Sequence, residues 1–164
     1  MTVDMPTPTP ALPAAGSRCR AEWLRLLARA PADALASLAA PLLADYRFER
    51  LRAPEEGLVM VRARIGNSGD RYNLGEVTVT RCVVRHRAPD GTVTAGFGHV
   101  LGLDAERAER VAQLDALLQQ PAAQMLLWPM VIEPLRALVD ERQQAERAQA
   151  RSSRVRFFTL QAEA

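Results

Sequence analysis

Glycine is spread along this chain so unevenly that it divides the fold before any other residue is read. Eight of the nine glycines lie between Gly57 and Gly102; the other is Gly16, and none follows Gly102. Glycine weakens helix interiors by roughly 0.5–1 kcal/mol relative to alanine, and it serves turns, bulges and close backbone approaches. The map therefore predicts helices at both ends of the chain and a sheet between them.

Hydrophobic periodicity agrees. Ser17 is placed to cap a helix through Trp23, Leu24, Leu26 and Leu27 that ends near Pro31, and a second helix runs from Asp33 to Leu43 with Leu35, Leu38 and Leu42 on one side. Between Ala44 and His99 the period changes to two. Val59, Val61, Ala63 and Ile65 share one face of a strand, and Leu58, Met60, Arg62 and Arg64 the other. Glu76–Arg87 is a strand rich in Val and Thr, joined to a strand over Thr92–Leu101 by the turn Ala88-Pro89-Asp90-Gly91. Asp104 caps a helix whose apolar stripe is Ala108, Val111, Ala112, Leu114, Leu117 and Leu118. The apolar run Met125–Ile132, interrupted by Pro129, has two readings: a core connector, or an interface with a partner. A charged helix over Pro134–Ala150 and a short last strand over Val155–Leu160 complete the chain. The fold class expected is α+β, a mostly antiparallel central sheet flanked by N-terminal and C-terminal helices. Residues 1–16, with four of the 11 prolines, form a Pro/Thr/Ala tail expected to be disordered, and 17–164 a single domain.

Composition narrows the chemistry. All 21 basic residues are arginine, so there is no Schiff-base lysine, no Walker-type phosphate loop and no lysine general base. A formal net charge of +2, with arginines alternating with acids in the terminal helices, gives no basic stripe for nucleic acid. No stretch reads as a membrane span or secretory signal, and the two cysteines, Cys19 and Cys82, read as reduced thiols; the expectation is a cytoplasmic protein. No His/Cys/Asp/Glu set has metal-ligand spacing, and no nucleophile motif is present. His86, among arginines, reads as a solvated residue. His99, in Gly96-Phe97-Gly98-His99 where two small residues leave room near its ring, is either a strand histidine with its bonds satisfied or an acid–base group.

One segment is left as a candidate site, the loop from Arg64 to Glu76. Its glycines Gly66, Gly69 and Gly75 permit inward-turned amides, and Arg64, Arg71 and Arg81 offer charge-assisted bonds to phosphate oxygens; the plainer reading is a loop that only turns a corner.

The runs Gly57-Leu-Val-Met-Val-Arg-Ala-Arg-Ile-Gly66 and Asn73-Leu-Gly-Glu-Val-Thr-Val-Thr-Arg-Cys-Val-Val-Arg85 strongly resemble the PhnG family of the bacterial carbon–phosphorus lyase core complex. So do Asp90-Gly91, Gly98–Gly102, the helix Ala108–Leu118 and the ending Ser153-Arg-Val-Arg-Phe-Phe-Thr159. The resemblance runs in order from about Trp23 to Leu160. It implies a subunit needed for the displacement of adenine from MgATP by an alkylphosphonate, giving α-D-ribose 1-alkylphosphonate 5-triphosphate. It implies PhnI, PhnH and PhnJ as core partners and PhnL as a functional one, with nucleosidase chemistry in PhnI and the radical lyase step in PhnJ. It supplies no catalytic residue and no cofactor of the chain's own; MgATP is a substrate of the complex. Arg64, Gly66, Gly69, Arg71, Asn73, Glu76, Arg81 and His99 are the candidate substrate-facing residues, and a purely structural assembly subunit is the alternative.

Overall fold

The computed structural model describes residues 15–66 and 68–153, with side chains from residue 20 onward. The tail expected over residues 1–16 and the strand expected over Val155–Leu160 lie largely or wholly outside these residues, as does the side chain of Cys19. The elements are α1 (Ala15–Arg29), α2 (Ala32–Leu43), β1 (Phe48–Arg64), β2 (Arg71–Arg87), β3 (Val93–Leu101), α3 (Ala105–Leu118), α4 (Pro121–Leu127), a π-helical turn (Trp128–Ile132) and α5 (Glu133–Ser152). The sheet is an antiparallel meander in the order β1-β2-β3. This is the α+β architecture expected, with helices on either side of the sheet in sequence. Helix α1 begins before Ser17, so that residue sits in its first turn instead of capping it.

Helix α3 lies across one face of the sheet, and glycine sets the distance. A Cβ on Gly96 would fall 1.9 Å from the Ala112 carbonyl oxygen, and one on Gly98 would fall 1.8 Å from that of Ala108. The helix presents Ala108, Ala112 and Ala116 at this seam, all buried. Alternate β2 residues Thr80, Cys82, Val84 and His86 are buried on the same face. The cap expected at the start of α3 is present, with the Asp104 carboxylate accepting from the Arg107 N–H at 3.0 Å. Buried Thr80 secures the chain just before it: its hydroxyl donates to the Gly102 carbonyl at 2.6 Å and accepts from the Asp104 N–H at 3.1 Å.

The other face of α3 meets α1, α2 and the C-terminal helices in one apolar core. Leu27, Leu35, Leu114, Leu117, Leu127, Ile132 and Leu135 are completely buried, each stabilising the fold by about 1.5–3 kcal/mol. The apolar run Met125–Ile132 divides its residues between the two readings it allowed. Leu127, Val131 and Ile132 enter the core, whereas Met125, Leu126 and Met130 are exposed. Pro129 does not break the helix, because the π turn accommodates it between α4 and α5. The continuous helix Pro121–Ser152 is long and apolar enough in one half to cross a membrane. That half packs Leu127, Val131, Ile132 and Leu135 into the core, with 33% of its apolar window buried.

Two polar features were not legible locally. His86, expected to be solvated, is buried at 5% exposure between the rings of Tyr46 and Phe48, with Nδ1 2.9 Å from the Arg47 carbonyl oxygen. Its neighbours in sequence are arginines, but strand alternation turns it toward the helices and them away. Asp115 is fully buried on α3, where its carboxylate accepts from Arg20 Nη2 at 2.7 Å, Trp23 Nε1 at 2.9 Å and the Phe97 N–H at 2.9 Å.

Candidate functional site

The sheet is three strands wide only over part of its length. The last β2–β3 pair is Val79 with Leu101, so Leu58–Arg64 and Arg71–Thr78 pair only with each other. At about 3.3 Å per residue, this two-stranded arm extends about 25 Å past the end of β3. Both faces are open: Leu58, Ile65 and Leu74 are each more than 60% exposed, and Val59, Met60 and Tyr72 more than 40%.

Register distributes the arm's chemistry. Leu58 pairs with Thr78 and Met60 with Glu76, on the side of the sheet that carries α3. The register shifts between Val61 and Arg62, leaving Leu74 without a partner beside Gly75, whose φ is +156°. Beyond this bulge Arg62 faces Asn73 and Arg64 faces Arg71. The extra residue keeps Asn73 and Arg71 on the same side as Glu76, which strict alternation would not. Arg62, Arg64, Arg71, Asn73 and Glu76 therefore share one face, with exposed Leu58 and Met60 at its base. The opposite face carries Val59, Val61, Val77, Ala63 and Tyr72.

At the tip, the Gly69 N–H donates to the Ile65 carbonyl at 2.9 Å and the Ile65 N–H to that of Asp70 at 3.3 Å. Gly66 adopts φ +61°, and a Cβ on Gly69 would meet the Ile65 oxygen at 2.2 Å, so this turn requires both glycines. The Gly69 amide closes the turn and is not turned inward as part of an anion nest. Arg64 Nη1 donates to the Gly69 carbonyl at 3.3 Å. Arg64 and Arg71 stand directly opposite each other, a like-charge pairing that costs stability unless an anion lies between or beside them.

Arg81 and His99 are brought together, but elsewhere. They pair in register on the other side of the sheet, near the base of the arm. The Arg81 guanidinium is held by Glu55, whose carboxylate also meets Arg52 Nη1 at 3.2 Å. His99 is exposed. The small residues before it, Gly96 and Gly98, make room for α3 on the opposite face, not for the imidazole ring. Cys82 is buried, with Sγ 3.4 Å from the Arg52 carbonyl oxygen, and burial pushes its thiol pKa up; it is suited to packing and not to nucleophilic attack. Among the described residues, no group of three or more His, Cys, Asp or Glu side chains is placed to hold a metal ion.

Alternation on β1 places Arg62 beside Arg64, together with Leu58 and Met60, whereas Arg81 belongs to the opposite side of the sheet. The signal for Asp115 was also available, since it falls on the stripe of Ala108, Val111, Ala112 and Leu118.

The arm and its base coincide with the most distinctive sequence runs in the chain, and the comparisons with known proteins extend across them. Residues 18–162 match the family model described as phosphonate metabolism protein PhnG. Over 147 residues, 89% of this chain and 90% of the relative, the sequence is 41% identical to the alpha-D-ribose 1-methylphosphonate 5-triphosphate synthase subunit PhnG of Rhizobium meliloti (strain 1021). With the match covering nearly all of the helices, the sheet and the arm, the chain belongs to the PhnG family of phosphonate metabolism proteins.

Proposed function

We propose that this chain is the PhnG subunit of an α-D-ribose 1-alkylphosphonate 5-triphosphate synthase, working in the cytoplasm with PhnI, PhnH and PhnJ and functionally with PhnL. In this reading an alkylphosphonate displaces adenine from C1′ of MgATP on a partner subunit, and the β1–β2 arm closes over that site. The observation that carries it is the arm: a two-stranded projection with Val59, Val61, Ala63 and Tyr72 on one side and, beyond Leu58 and Met60, Arg62, Arg64 and Arg71 on the other. A lone two-stranded ribbon is marginal in water, so a surface that covers its apolar side would complete it. Its basic side would then lie against the anions.

The chemistry gives such a subunit work without acid–base groups of its own. A phosphonate dianion must approach a sugar that already bears a triphosphate, while water, the competing nucleophile, is kept out. Fixed guanidinium groups lower the repulsion and hold the attacking oxygen near C1′, and closure excludes water. Arg64 and Arg71 are the residues assigned to the anions, with Asn73 and Glu76 positioning on the same face and Gly66 and Gly69 setting the turn. Arg81, already paired with Glu55, and His99 face the other way.

The test uses the assembled complex, MgATP and methylphosphonate, with the ratio of ribose phosphonate product to ribose triphosphate as the readout. Arg71→Ala should lower that ratio about tenfold, the loss expected for one charge-assisted contact, while the complex still co-purifies. Arg81→Ala should change it less. An unchanged ratio for both Arg71→Ala and Arg64→Ala in an intact complex would leave the assembly role alone, for which the apolar arm face and exposed Met125, Leu126 and Met130 supply the surface.

A further inference from the structure

A second concentration of arginine lies in a cleft that the arm does not include. It has a volume of about 760 Å³ and is bounded by the α1–α2 corner, the start of α3 and the C-terminal half of α5. Sites for small molecules commonly span about 300–1,000 Å³. Arg29, Arg107, Arg142 and Arg147 line it, against one acidic residue, Glu146.

That carboxylate is already engaged, accepting from Arg142 Nε at 3.0 Å. Arg29 and Arg147 make no ion pair among the described residues. Arg107 is the most informative of the four. Its Nη2 donates to the Ala28 carbonyl at 2.6 Å, which fixes the guanidinium at the end of α1. Its Nε is buried without any hydrogen-bond partner, alone among the buried side-chain nitrogens and oxygens of the described residues. A charged group with an unpaired N–H withdrawn from water is costly, and an anion in the cleft would offset part of that cost through its charge without having to reach Nε itself. The four guanidiniums exceed the local carboxylate by three charges. One carboxylate ligand would balance only part of that excess, whereas a phosphate chain brings several charges and many acceptor oxygens to planar donors.

We propose that this cleft binds the phosphate groups of a small polyanion, with Arg107 as the fixed donor at its wall and Arg29 and Arg147 as the mobile arms that close on the ligand. The site is separate from the basic face of the arm and does not depend on the role given to the arm above.

Calorimetric titration of the full-length chain with inorganic tripolyphosphate tests it. Saturable binding to one site is expected, together with a loss of about tenfold or more in affinity for the double variant Arg29→Ala/Arg147→Ala. Both residues are exposed, so thermal melting should show the double variant folded; Arg107→Gln also removes the bond to Ala28 and is the less decisive change. Citrate, a polycarboxylate, should bind at least about tenfold more weakly than tripolyphosphate if phosphate chemistry is what the cleft recognises. Absence of saturable binding, equal affinity for citrate, or an affinity unchanged in the double variant but lost in Arg64→Ala/Arg71→Ala would each overturn the proposal.

Discussion

At the β3 edge of the sheet, the Phe97 N–H is taken by the Asp115 carboxylate and the Ala95 carbonyl by Arg20 and Gln119. Along the arm, no described side chain from outside the ribbon reaches the backbone of Leu58–Arg64 or Arg71–Thr78, and only the Gly102 N–H does so, at Thr78. Both are edges of one sheet, and an unpaired edge is an invitation to association that proteins usually blunt. This chain blunts one with a buried carboxylate and leaves the other long, open and partly apolar. The difference teaches that the packed end of the sheet is finished within the chain, whereas the arm is left open among the described residues, and the proposed docking rests on that openness.

The strongest way to break the packed end is Asp115→Ala. It would leave the buried Trp23 indole N–H and the Phe97 N–H unpaired and the part-exposed Arg20 guanidinium without its carboxylate, and a loss of about 2–4 kcal/mol in denaturant unfolding is expected. Next is Gly98→Ala, whose methyl would overlap the Ala108 carbonyl and force α3 off the sheet, for about 1–3 kcal/mol or more in the same measurement. Cys82 sharpens the comparison through pH. Burial raises its folded pKa above the ordinary value of 9.0, so the unfolded chain gives up the proton first. That contribution to stability is whole below about pH 9 and declines as pH rises through the folded value; unfolding curves across this window should show the decline, and Cys82→Ala should remove it. The smallest effect belongs to the arm. Val59→Thr with Tyr72→Ser should alter the stability of the isolated chain by about 1 kcal/mol or less, since both residues are 42% exposed and lose only cross-strand contacts. The same double variant should co-purify poorly with the partner subunits; a large loss of stability in isolation would show that the arm packs on its own molecule.

Much of this was legible. The glycine map, the alternation on β1, the turn before Thr92 and the Asp104 cap are local signals, and each element they mark is present. Alternation even assigned Arg62 and Arg64 to one face and Val59 and Val61 to the other. What could not be read was the company each face keeps. His86 reads as solvated because its neighbours are arginines, yet the rings of Tyr46 and Phe48 enclose it. Arg81 looked like part of the glycine loop, but β2 is so long that it stands at the other end of the arm. The bulge at Leu74, which keeps Arg71 and Asn73 with the other basic residues, leaves only a glycine as its trace.

By itself, the sequence determined element type, strand polarity and the absence of lysine chemistry, because residue periodicity and turn propensity act over a few residues. The tertiary structure decided where β3 stops, which releases the arm, and how closely α3 approaches Gly96 and Gly98. It also decided that Arg29, Arg107, Arg142 and Arg147, drawn from three separate helices, share one cleft. These depend on backbone surfaces meeting across long sequence separations, where packing distance and burial, not local pattern, choose the outcome.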